Sequence, residues 1–106
     1  MIKYSETKRN IAELQLNHVE LYSKMTDLFC QFDPCRFINI GLPKEEYNCE
    51  ISEILSRIAG LENINQPEIK EIVDEVFYQW LNFEFENEKH LDNFAGKILE
   101  IVKNYI

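Results

Sequence analysis

Between Ile69 and Leu81 the apolar residues Ile69, Ile72, Val73, Val76, Phe77, Trp80 and Leu81 follow the offsets i, i+3, i+4, i+7, i+8, i+11 and i+12. This spacing returns to the same side with every helical turn, so it writes one dry face and one wet face onto a helix. A strand, whose faces alternate at every second residue, cannot use it. A helix with one dry face must find others to cover it.

The rest of the chain supplies them. Ile11, Leu14, His18, Leu21, Met25, Leu28 and Phe32 step by three and four, widened by Tyr22 and Phe29, which predicts one long helix over about residues 5–31 with His18 on its buried seam. Pro34 ends it, because proline cannot extend a helix and disfavours helix at Asp33. Asn48 is a suitable N-cap for a second helix carrying Ile51, Ile54, Leu55 and Ile58, with Gly60 as its stop. Asn65-Gln66-Pro67-Glu68 opens the third, where Asn65 caps and Pro67 sits where no amide is missed. Asn87 caps a fourth with the stripe Leu91, Phe94, Ala95, Ile98, Leu99, Val102 and Tyr105. Gly96 inside that helix costs ~1 kcal/mol relative to Ala and suggests a close helix contact. Phe83-Glu84-Phe85-Glu86 alternates like a strand but has no partner strand.

Residues 33–48 form an unusually long connection. Phe37, Ile38, Ile40 and Leu42 are too apolar for a floppy linker, so the loop is expected to pack down on the body, with Pro43 opening a single turn through Glu45 and Glu46. The expected fold is all-α: one domain over residues 1–106, a four-helix bundle with one long ordered loop between helices 1 and 2. Seven Phe, five Tyr and one Trp are enough to fill its core without metal or disulfide.

Charge narrows the function. The formal net charge is −8, which argues against a nucleic-acid or anionic-membrane surface. The first thirty residues balance, so the surplus lies beyond them, in windows 44–53, 62–75 and 84–92. Acidic residues near helix starts are ordinary helix design. That leaves Glu71, Asp74 and Glu75, and Glu84 and Glu86, to form an acidic face beside exposed aromatics such as Tyr78. Such a face steers in a basic partner.

Catalytic readings find little to hold. Gly41, Gly60 and Gly96 stand alone, so there is no phosphate loop or dinucleotide fingerprint. Cys30-x4-Cys35 with His18 and His90 is a poor zinc set, and the acidic surroundings do not favour a reactive thiolate at Cys30, Cys35 or Cys49. The carboxylate pairs Glu71/Glu75 and Glu46/Glu50 lack the Glu-x-x-His partners of a diiron bundle. No enzyme, metal or cofactor is expected. The odd cysteine count, the lack of an apolar stretch at the start and the lack of a membrane-length apolar window point to free thiols and a cytoplasmic location, with no membrane partner.

The segment Asp33-Pro34 … Glu46-Tyr47-Asn48-Cys49-Glu50-Ile51-Ser52-Glu53-Ile54 resembles a pattern in small helical bacterial proteins. Some of these resemble immunity proteins encoded beside contact-dependent or other polymorphic toxins. Here Cys35-Arg36-Phe37-Ile38-Asn39-Ile40 replaces a glycine-rich stretch of that pattern. The resemblance implies a small bundle that neutralises a cognate basic toxin domain, a nuclease such as a ribonuclease first among them. It also implies that Asp33 caps the loop while Tyr47 closes it over the core. The expected partner contacts are Glu46, Tyr47, Glu50, Glu71, Asp74, Glu75, Tyr78, Glu84 and Glu86. The alternative is a regulatory or adaptor module that binds a partner helix or homodimerises through helix 1.

Overall fold

The computed structural model describes residues 18–105. Among them the order is α1 (Val19–Phe32), a single 3-10 turn (Lys44–Tyr47), α2 (Asn48–Ala59), α3 (Gln66–Leu81) and α4 (Glu88–Lys103). The all-α four-helix bundle is therefore as the stripes foretold. Leu21, Met25, Leu28 and Phe29 of α1 meet Ile51, Ile54 and Ile58 of α2, Ile69, Val73, Val76 and Phe77 of α3, and Leu91, Phe94, Ile98 and Val102 of α4 in one core. Aromatic rings run through its middle: Phe29 lies 4.8 Å from Phe94 and 5.8 Å from Tyr47, centroid to centroid.

Capping follows the side chains. Asn65 Oδ1 accepts from the Glu68 amide at 3.0 Å, and Asn87 Oδ1 accepts from the His90 amide at 3.1 Å. Each satisfies an amide that the first turn leaves without a carbonyl. α3 ends on Asn82 in the left-handed region, φ 52°. The Asn82 N–H donates to Tyr78 O, the bond of a left-handed helix cap, and the Phe83 N–H reaches back to Phe77 O. The chain then runs without regular structure, with Phe83 and Phe85 turned onto Phe77 at 5.9 and 5.1 Å. The strand-like alternation of Phe83-Glu84-Phe85-Glu86 thus needs no partner strand: the rings face the core, and Glu84 and Glu86 are exposed.

Three expectations are corrected. The first helix, read over about residues 5–31, begins among the described residues only at Val19, because His18 has a non-helical backbone (φ −139°) and is exposed instead of buried on the seam. Asn17-His18-Val19 are all weak helix formers, and periodicity fixes a face without detecting a break. Positions 5–17 lie outside the described residues. Asn48 is not a cap: α2 continues directly from the 3-10 turn, and Asn48 is its first helical residue. The loop packs down only in part. Phe37 and Ile38 rest on the core, whereas Ile40 is 70% exposed and Leu42 also faces water.

Gly96 does mark a close contact. A Cβ there would lie 3.3 Å from Oε1 of Gln66, the first residue of α3. The Gln66 amide crosses to α4 at this point and donates to Asp92 O at 3.0 Å.

Candidate interaction surface

The site begins with the loop that closes one end of the bundle. Asp33 ends α1 in the left-handed region (φ 42°), its N–H donating to Phe29 O at 2.7 Å. A residue before proline ordinarily turns extended. Asp33 turns back instead, and its carboxylate collects the loop: Oδ1 accepts from Ile38 N–H at 3.1 Å and Oδ2 from Asn39 N–H at 2.9 Å. Tyr47, 0% exposed, donates its hydroxyl to Asp33 Oδ1 at 2.8 Å and accepts from Cys35 N–H at 3.0 Å. Burial pulls the Asp33 carboxyl up, but the Asn39 amide, the Tyr47 hydroxyl and the Ile38 and Phe37 amides together hold it below its usual value. Burial, then the bond to Asp33, pushes the Tyr47 phenol well above its usual range. Asp33 caps the loop and Tyr47 closes it over the core.

Two of the expected contacts therefore do not lie on the surface. Tyr47 is inside, between Phe29 and Phe37. Glu50 is 4% exposed, on a stretch of α2 where Ser52 and Glu53 are also buried. Periodicity missed this because the whole first half of α2 is covered, polar side included.

The remaining expected contacts are exposed. On α3, Glu71, Asp74, Glu75 and Tyr78 are spaced i, i+3, i+4 and i+7 and face outward together, opposite the stripe that feeds the core. Tyr78 is 54% exposed. Glu75 is partly neutralised: Arg57 Nη1 reaches it at 3.3 Å while Nε holds the buried Glu53 at 2.6 Å and Nη2 donates to Gln79 at 2.7 Å. That clamp between α2 and α3 escaped the sequence reading, although Glu53-x3-Arg57 is a favourable i,i+4 pair. Lys70 on α3 similarly bridges to Glu88 and Asp92 of α4, the latter at 3.3 Å. Glu46, Glu71, Asp74, Glu84 and Glu86 make no ion pair within the described residues.

Glu84 and Glu86 occupy a different place from the α3 ridge. They border an open groove with Phe83, Phe85, Cys35, Arg36 and His90, where the loop faces the start of α4. Arg36 (φ 60°) and His90, whose ring lies 5.2 Å from Phe32, are two groove residues the acidic pattern did not foresee. Glu46 stands apart on the 3-10 turn.

No protein-family model, curated protein or solved structure matches the chain.

Burial, with the nearby Glu50 and Asp33 carboxylates, pushes the Cys35 thiol up to about 11, the reverse of what a nucleophile needs. Burial and Asp27 likewise raise Cys30. All three cysteines are free thiols, and no cluster of His, Cys, Asp or Glu suited to a metal occurs among the described residues. No helix there is long and apolar enough to cross a membrane.

Proposed function

We propose that this chain acts by binding a basic protein and blocking it, in the manner of an immunity protein set against a toxin nuclease. One observation carries the reading: Glu71, Asp74 and Tyr78 share the outward face of α3, and the two carboxylates are free of cations among the described residues. Unpaired carboxylates keep their field available to a partner, and they stand in for substrate phosphates against its Lys and Arg. Tyr78 supplies the amphipathic anchor that such interfaces favour. Glu46, Glu84 and Glu86 extend the negative field around the body. Tyr47 acts from inside, by holding the loop to the core, and the buried Glu50 is not a partner contact.

The adaptor reading draws less support. A homodimer through helix 1 would use its apolar seam, yet Leu21, Met25 and Leu28 are already consumed by the chain's own core.

The test is association with a basic toxin-like domain, sought in the neighbouring reading frame, followed by stopped flow at low and high salt. The on-rate is expected to fall ~10–1000-fold as salt rises. Glu71→Lys with Asp74→Lys is expected to remove most of that dependence, and Tyr78→Ala to speed dissociation. A rate indifferent to both salt and charge reversal would refute the reading.

A further inference from the structure

Glu50 is the most anomalous side chain among the described residues, and the α3 ridge makes no use of it. The residue is 4% exposed, and its buried Oε1 has no hydrogen-bond partner. No Lys or Arg of the described residues pairs with it. The charged and titratable groups facing it offer no compensation. Glu46, one turn earlier on the 3-10 turn, repels it. From the loop it meets Cys35, whose thiol feels the carboxylate as a like charge.

Cys35 is also the residue whose N–H donates to the Tyr47 hydroxyl, and Tyr47 lies three positions before Glu50. The buried carboxyl therefore sits beside the lock that ties the loop to the body. We propose that Glu50 is a proton latch for the loop from Asp33 to Pro43: its neutral carboxyl lets the loop close, and its ionisation drives the loop open.

An ionised carboxylate in a dry site without a cation is costly, and the least expensive relief is to admit water by local opening. The cover most open to movement is the loop, whose tip residues Ile40 and Leu42 already face solvent. Burial, opposed in part by a hydrogen bond from the residue's own backbone amide and reinforced by the Glu46 carboxylate, pushes the Glu50 carboxyl up from 4.5 to about 7. A raised carboxyl means that the closed form holds its proton more tightly than the open one. Closure is therefore fully favoured below the open-state value near 4.5 and is lost as pH rises through about 7. Asp33, held low by its amides, stays ionised throughout and does not confuse the readout.

The test is NMR on the intact chain. Glu side-chain carboxyl shifts are followed from about pH 5 to about pH 8, together with exchange protection at the Ile38 and Asn39 amides, corrected for intrinsic rates and referenced to α4. Glu50 is expected to titrate near 7 while loop protection falls by roughly a hundredfold over the same window. Glu50→Gln, which mimics the neutral acid, is expected to hold protection at its low-pH level throughout. Titration of Glu50 in the ordinary carboxylate range would overturn the proposal. So would titration near 7 with loop protection unchanged, and the wild-type measurement decides between these outcomes even if the variant fails to fold.

Discussion

The Tyr47 hydroxyl donates to Asp33 Oδ1 at 2.8 Å across fourteen residues of chain, joining the end of α1 to the start of α2. The Tyr47 hydroxyl oxygen also accepts from Cys35 N–H, so the hydroxyl serves as donor and acceptor at once. Tyr47→Phe keeps the ring among Phe29 and Phe37, takes the acceptor from the Cys35 N–H, and leaves the Asp33 carboxylate with its Ile38 and Asn39 amides. It is expected to lower stability by about 1–3 kcal/mol in urea unfolding. An unchanged midpoint would mean that the ring alone holds the loop.

Asp33→Asn tests the other half of the lock. The Asp33 carboxyl is held below its ordinary 3.8, so its contribution is full above that value and lost as pH falls through the folded-state value. Asparagine tolerates the left-handed backbone, which isolates the charge from the conformation. The variant is expected to be less stable than wild type at neutral pH, with the gap narrowing in acid. A gap that is the same at every pH would assign the effect to geometry instead.

Arg57→Ala removes the cation that holds the fully buried Glu53 and reaches Glu75 and Gln79. Breaking one side of a buried pair typically costs about 3–5 kcal/mol, mostly through the charge left behind. The expected loss lies near the lower figure because Arg57 itself is part exposed. Adding Glu53→Gln is expected to restore a good part of it. Chemical denaturation of the two variants side by side decides the matter, and no recovery in the double variant would locate the loss in packing.

Gly96→Ala sets two effects against each other. Alanine gains about 1 kcal/mol in helix propensity. Its Cβ, however, meets the Gln66 side chain at 3.3 Å, and that side chain must yield and strain its bond to Asp92 O. The single change is expected to be close to neutral. In a Gln66→Ala background the same change is expected to stabilise by about 1 kcal/mol, measured by thermal unfolding. Equal effects in both backgrounds would show that Gln66 moves freely.

The apolar stripes of α1, α3 and α4 were legible because each buries one face and leaves the other wet. α2 was legible only in part: Ile51, Ile54, Leu55 and Ile58 follow the pattern, but Glu50, Ser52 and Glu53 are buried against it. Asn65 and Asn87 could be recognised as caps because each precedes a stripe. Asn48 precedes one too, yet the 3-10 turn ahead of it already supplies helical backbone, so no cap is needed. The outward α3 ridge followed from spacing alone. The Arg57 clamp and the Arg36–His90 groove did not, because they join residues far apart in the chain, and one-dimensional periodicity carries no information on which helices become neighbours.

The carboxylates left without cations also govern how the molecule responds to ionic strength. Added salt weakens their mutual repulsion and should make the folded chain firmer, while it dims the attraction that would draw in a positive partner. A single sodium chloride series would therefore move unfolding and docking in opposite directions. At the dilute end of that series, the net charge of −8 sets up a repulsion between two copies of this chain.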